Sequence, residues 1–196
     1  MLGGFPYVSR IDLQGSRNFL AKLGIGTKSG LRIAESALEG GAGIGRITEG
    51  LLLQVSQEVD VVEPIAKFTQ KLATKTGVRQ VFNIGLEEWE PRESDQYDLV
   101  WNQWCLGHLN DDQLMRYLER CKQVLTPNTG LIIVKENITS GIVEVFDEQD
   151  SAVTRTDKKF LEIFQRAGLK VVKSEIQKGL PKELFPVKAY ALRPQD

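Results

Sequence analysis

The sequence predicts an α/β fold in which helices cover both faces of a mostly parallel sheet, and three observations carry that prediction. Stretches rich in aliphatic and aromatic residues alternate with helical patterns five times along the chain. A glycine cluster, "EGGAGIGRIT", stands where the first strand pattern gives way to a helix. Two apolar stretches close the chain with no helix between them, as an antiparallel pair does. At 196 residues and 41% hydrophobic content, the chain suits one domain, residues 1–196, with a sizeable core.

Each element has its own signature. Residues 1–30 form a partial lid segment ending in "GIGTKSG", a flexible glycine-rich loop. A strand follows over about residues 32–39, "RIAESALE". Ile47, Leu51 and Val55 then recur on one face of a helix spanning about 45–57. "EVDVVEP" is a second strand, closed by Pro64, and a helix covers roughly residues 65–76. "RQVFNIG" and "YDLVWNQW" are the third and fourth strands. Asn110 caps a helix over residues 111–125 that stops before Pro127. "GLIIVKEN" is a fifth strand, and the acidic insertion "VEVFDEQDS" follows it. "DKKFLEIFQRAG" is a helix with Gly168 just past its end. "LKVVKSEIQ" and "VKAYALRP" make the closing pair.

Charge and composition narrow the function. Twenty-five basic residues against 26 acidic ones give a net charge of −1, so nothing in bulk favours nucleic acid. Cys105 and Cys121 have neither zinc-ligand spacing nor a disulfide-rich frame, and read as core thiols of a reduced intracellular protein. No ligand cluster implies a metal. No apolar run nears the ~18 residues of a membrane span and no secretory signal is read, so a soluble, intracellular protein with no membrane partner is expected.

In such sheets, ligands sit beyond the carboxyl ends of the strands. "WNQWCLGHLN" places Gln103, Trp104 and His108, the one histidine of the chain, at that end of strand four. They either plug the edge of the core or line a site. Gly41, Gly43 and Gly45 alternate between a strand and a helix, where glycines allow a tight turn and close approach of backbone N–H groups to a ligand. Counted from Gly41, the sixth position is Arg46, so the spacing is G-x-G-x-G rather than the dinucleotide G-x-G-x-x-G, and an NAD dehydrogenase fails on that count. The spacing resembles the first motif of class I S-adenosylmethionine-dependent methyltransferases. Glu63, 22 residues after Gly41, sits where a carboxylate can accept both ribose hydroxyl protons, unless it is simply solvated at a strand end. Arg46 can pair with the cofactor's carboxylate, or face solvent.

The blocks "GAGIGRIT", "VDVVEP", "WNQWCLGHL", "LTPNTGLIIVKEN", "DSAVTRTDKKF" and "GLPKELFPVKAYALR", in this order, resemble the protein α-N-terminal methyltransferases. "MLGGF" and "IDLQGSRNFL" near the start are similar to that family as well, so the resemblance covers essentially the whole chain. It implies a Rossmann-like three-layer sandwich around a seven-stranded sheet with an antiparallel C-terminal strand. It implies S-adenosyl-L-methionine as cofactor, S-adenosylhomocysteine as product, and protein substrates beginning X-Pro-Lys. A monomer in cytoplasm or nucleus is the corresponding expectation. Position by position, Gly41, Arg46, Glu63, Pro64, Ile65, Leu86, Glu87 and Gln103 match cofactor contacts, with Gly43 inside the same loop. Leu86 and Glu87 would meet the adenine. Trp104, Asn137, Asp147 and Ser151 match the substrate channel, and His108 and Asp150 match the proton acceptors.

The chemistry is consistent with that assignment. An α-amine titrates near ~8, so most of it is protonated at neutral pH and has no lone pair until an acceptor takes the proton. An imidazole and a carboxylate suit that task. The acidic insertion would attract the amine and the substrate's lysine. Two other readings keep the cofactor: methylation of a small-molecule amine or hydroxyl, and a pseudoenzyme that binds protein N-termini. The chain also departs from the family pattern. It begins at Met1-Leu2-Gly3-Gly4, where members carry an upstream helical segment over the cofactor. "GGFP" replaces "GGYG", Gly40 replaces a residue with a side chain, Ala152 stands for a second serine, and Phe185 for a tyrosine found in some members.

Overall fold

The computed structural model describes residues 7–195. Residues 1–6, and with them the "GGFP" departure, lie outside the described residues. The chain opens with α1 (Val8–Ala21) and β1 (Ala34–Gly40), then a π-helical turn, Thr48–Leu52, which runs into α2 (Leu53–Val55). β2 (Ser56–Val62), α3 (Ala66–Thr69), β3 (Val78–Phe82), β4 (Leu99–Gln103), α4 (Asp111–Gln123) and β5 (Leu131–Asn137) follow. The last third holds β6 (Val145–Asp147), β7 (Ala152–Thr154), α5 (Asp157–Arg166), β8 (Leu169–Ile176) and β9 (Val187–Pro194).

Seven strands form one sheet in the order β3-β2-β1-β4-β5-β9-β8, and β6 and β7 form a separate hairpin. The first five pair in parallel, and β9 runs antiparallel to both β5 and β8. β4 is buried at all five positions, as a central strand covered on both faces must be. On one face Leu38, Val62, Val100 and Ile132 pack against Leu114, Tyr117 and Leu118 of α4 and Phe160 and Phe164 of α5. On the other, Ala37, Val59, Trp101 and Ile133 pack against Phe19 and Leu20 of α1 and Leu51 and Leu52 of the π turn. Strand order reverses between β1 and β4, and there Gly40 lies level with Val62 on one side and Asn102 on the other. That reversal point is where this topology places its ligands.

Two predicted helices are shorter than their sequence patterns. The helix expected over 45–57 ends at Val55, because Ser56 is already extended (φ −137°, ψ 157°) and its hydroxyl donates back to the Leu52 carbonyl at 2.7 Å. The helix expected over 65–76 breaks into α3 and a 3₁₀ turn, Leu72–Thr74. Thr69 sits at the break, its hydroxyl bonded to the Ala66 carbonyl and accepting from Asn83 Nδ2, a side-chain alternative to continued helix. Two elements go unread in the sequence: α1, and the β6–β7 hairpin inside the acidic insertion. α1 escapes because its buried face includes Asp12 and Ser16, which interrupt the apolar period. The bare Gly40 has a packing reason: a Cβ there would stand 2.3 Å from Asn102 Oδ1 and 2.5 Å from the Tyr117 hydroxyl. Cys105 and Cys121 are buried free thiols.

Candidate active site

The glycine loop leaves β1 at the sheet's reversal point. Gly41, Gly43 and Gly45 have φ of +67°, +56° and +87°, a region other residues enter at a cost. At Gly41 the fit is doubly tight, since a Cβ would meet Cys105 Cβ at 2.3 Å. Glu63 follows β2 and closes over this loop. Its Oε2 accepts from Gly43 N–H at 2.8 Å, its Oε1 from Ile65 N–H at 3.0 Å, and the residue is only 7% exposed. It is an oriented carboxylate rather than a solvated one, and each oxygen keeps a lone pair for a further donor. Pro64 and the exposed Ile65 continue the rim. Leu86 is buried beside Gly40, and Glu87 is exposed next to it.

Next to the loop lies a charged network that the sequence reading missed. Asp12 of α1 is fully buried and receives Arg46 Nη1 at 2.7 Å, Gln103 Nε2 at 2.9 Å and Lys135 Nζ at 2.5 Å. Lys135 also donates to the Ser16 hydroxyl and to Gln177. Gln103 Oε1 accepts from Trp101 Nε1, which fixes the amide's orientation. Burial pushes the Lys135 amine down, and Asp12 opposes that push. A signal for this network was present: a lysine inside "LIIVKEN" cannot stay charged in a buried parallel strand without a buried partner. Arg46, read as a cofactor contact, is thus already an ion pair, and its guanidinium also lies 5.0 Å over the Trp104 ring. Its fork has donors beyond the one given to Asp12.

Of the substrate-side residues, Trp104 and Asn137 lie at the ends of β4 and β5, and only His108 and Ser151 share a cleft. Trp104 is half-buried with φ +55°, and its Nε1 is buried with no hydrogen-bond partner among the described residues. His108 is exposed on the 3₁₀ turn Leu106–His108, and Asn137, half-buried, ends β5. The β6–β7 hairpin lies against that turn, so closely that a Cβ on Gly107 would stand 3.0 Å from the Val153 carbonyl. His108 and Ser151 line one cleft of about 930 Å3 together with Glu144 and Phe146. Asp147 and Asp150 sit exposed at the hairpin tip, where Asp147 Oδ1 accepts from the Gln149 and Asp150 N–H groups.

Comparison with known proteins decides the family. Residues 1–193 match the family of AdoMet-dependent proline di-methyltransferases. The chain belongs to that family. It is similar to the alpha N-terminal protein methyltransferase 1 of Schizosaccharomyces pombe, with 44% identity over 99% of this chain and 88% of the yeast protein. It is 40% identical to the N-terminal Xaa-Pro-Lys N-methyltransferase 1 of Danio rerio, over 98% of this chain and 87% of that protein. Among solved structures, a SAM-dependent methyltransferase from Leishmania major superposes with a TM-score of 0.87 at 36% identity, covering 98% of this chain and 75% of that one.

As a member, the protein is a methyltransferase that uses S-adenosylmethionine, and the residues at the reversal point fit that cofactor. The positive-φ glycines spend their own N–H groups on Val62, Glu63 and Ala42 and present a bare backbone that a ligand can approach closely, Arg46 offers a cation beside them, and Glu63 offers two aimed acceptor oxygens. Two further carboxyl groups are buried around the same loop, and burial raises both. Glu39, on β1 and bonded to the Thr48 hydroxyl at 2.6 Å, is pushed up to about 8. Glu136, at the tip of β5, is pushed up to about 7 against the backbone N–H groups of Leu106 and Cys105.

Proposed function

We propose that the protein transfers methyl groups from S-adenosylmethionine to the α-amine of protein N-termini beginning X-Pro-Lys. One observation carries this reading. The one imidazole of the chain, His108, shares a cleft with Ser151 and Glu144 of the acidic insertion, just past the end of β4. That arrangement suits a chain end that is cationic, needs deprotonation, and presents backbone carbonyls to donors. The fission yeast relative is named for α-N-terminal protein methylation and the zebrafish one for methylation of Xaa-Pro-Lys N-termini, which supports the same substrate class.

In this reading Gly41, Gly43, Arg46, Glu63, Pro64, Ile65, Leu86, Glu87 and Gln103 hold the cofactor. Glu63 takes the ribose hydroxyls, Arg46 the carboxylate, and Leu86 and Glu87 the adenine. The cofactor supplies an electrophilic methyl group. His108 and Asp150 serve as acceptors for the one proton that the ammonium must lose before its nitrogen can attack and for the one released after transfer. Asn137 hydrogen-bonds the backbone of the first substrate residue, and Trp104 walls a slot narrow enough for the proline ring. Asp147, with Ser151 beside it, draws the lysine at position three. Each transfer leaves S-adenosylhomocysteine.

The test is mass spectrometry of peptides beginning Ser-Pro-Lys, acetyl-Ser-Pro-Lys and Ser-Ala-Lys after incubation with the enzyme and cofactor. Methylation of the first alone is expected. Asp150→Asn and His108→Ala should each lower it by about 10²-fold or more with cofactor binding intact, the scale of a lost acid–base group. Equal methylation of the acetylated peptide would sink the α-amine assignment.

A further inference from the structure

The turn that carries His108 is gripped by two buried side chains, a carboxyl that accepts from its N–H groups and a guanidinium that donates to its carbonyls. At its start, Glu136 Oε1 accepts from the N–H groups of Cys105 and Leu106, both at 2.9 Å. At its end, Arg155 donates from Nη1 to the Leu106 carbonyl at 3.0 Å and from Nη2 to the Leu109 carbonyl at 2.5 Å. Its Nε–H goes to Asp111, the first residue of α4, at 2.9 Å. Glu136 is 6% exposed and Arg155 1% exposed; burial raises the carboxyl, and the two backbone N–H groups and the guanidinium oppose that rise.

Sequence position makes this grip more than a local fastening. Glu136 is the residue before Asn137, and Arg155 is the residue after β7. The segments just beyond them are tied together as well, since Thr139 N–H donates to the Arg155 carbonyl at 3.0 Å. The clamp therefore joins three carriers of the site: the tip of β5 with Asn137, the turn with Trp104 and His108, and the hairpin with Asp147, Asp150 and Ser151. Trp104 sits just before the gripped N–H groups with its φ of +55°, a conformation that persists only where the surroundings enforce it.

We propose that Glu136 and Arg155 are positioning residues of the methyl transfer, a paired clamp that sets His108 and Trp104 against the hairpin without touching substrate. The proposal rests on the functional reading above for its catalytic consequence and on the hydrogen bonds alone for its structural one. Glu136→Ala removes both acceptor bonds. Glu136→Gln keeps an oxygen able to accept the same two N–H groups, so it acts as the rescuing variant. Arg155→Lys keeps the charge and loses the planar fork that reaches two carbonyls at once.

Two readouts test this in the full-length protein. The first is steady-state kinetics on a Ser-Pro-Lys peptide, with S-adenosylhomocysteine affinity measured by calorimetry. Glu136→Ala and Arg155→Lys should lose about 10- to 100-fold in kcat, the effect of a reacting group misplaced by about an ångström, with cofactor affinity kept. Glu136→Gln should stay within about threefold of the parent. The second readout is the imidazole NMR signal of His108, unambiguous because it is the chain's one histidine. It should shift or broaden in Glu136→Ala and Arg155→Lys and be retained in Glu136→Gln. Full kcat and an unaltered imidazole signal in Arg155→Lys would overturn the clamp, even if Glu136→Ala fails to fold. Equal loss in Glu136→Gln and Glu136→Ala would also overturn it, because charge rather than position would then matter. Should the parent methylate no peptide, the functional reading falls, and the NMR signal still decides the clamp.

Discussion

Glu63 shows how much a single side chain can be read from spacing. Its distance from Gly41 places a carboxylate at the neighbouring strand's tip, and the structure finds it held there by the N–H groups of Gly43 and Ile65. Because both of its oxygens are aimed by backbone donors, the charge is the part that cannot be replaced. Glu63→Gln turns one acceptor into an NH2 group facing an N–H, and loses hydrogen bonds to a charged group worth about 1.5–3 kcal/mol. S-adenosylhomocysteine should bind about 10- to 100-fold more weakly by calorimetry. Unchanged affinity would remove Glu63 from the cofactor site. Asp12 was not legible in the same way. It lies in a segment without apolar periodicity, and its partners come from residues 34, 91 and 123 positions further along the chain. Local pattern cannot announce such a residue. Only the misplaced charge of Lys135 in a buried strand hints that a partner must exist.

At the level of elements, the strands were the readable part. Buried parallel strands tend toward continuous apolar runs, and β4 and β5 announce themselves that way with residues 99–101 and 131–134, whereas β1 and β2 show only short apolar clusters with Glu39 and Asp60 buried among them. The β6–β7 hairpin was not readable, because its strands are three residues long and β6 is exposed at every position. Without a buried face there is no period-two signal. Its placement depends instead on contact with the turn beneath it, and Gly107 is the contact point. Gly107→Ala should push the hairpin back by a few tenths of an ångström, since its Cβ would stand 3.0 Å from the Val153 carbonyl. Peptide turnover should fall about 3- to 10-fold, with cofactor affinity unchanged. Unaltered turnover would mean that the hairpin's position does not matter to the reaction.

For the molecule as a whole, buried carboxyl groups set the pH response of stability. Glu39 is pushed from an ordinary value of 4.5 to about 8 by burial, and Glu136 to about 7. Between the unfolded and folded values, the folded state holds protons that the unfolded chain has released. Stability is therefore greatest below about pH 4.5 as far as these groups are concerned, and declines as the pH rises toward 8. Glu39→Gln keeps an acceptor for the Thr48 hydroxyl and removes the titration. Its melting temperature should fall less than the parent's between about pH 6 and pH 8, with each kcal/mol recovered worth about 2–4 °C at this size. Parallel melting curves for the two proteins across that range would contradict the assignment. The sheet's connectivity has a consequence for synthesis too. β9, the last strand in sequence, is an interior strand, wedged between β5 and β8. On the ribosome, β8 can join the sheet only after β9 has emerged to bridge it. Gln177, which completes the Lys135 network, lies in the same late-arriving stretch. The nascent enzyme therefore acquires its finished sheet only once β9 is available, and a truncation that removes β9 would open the sheet from within rather than trim its edge.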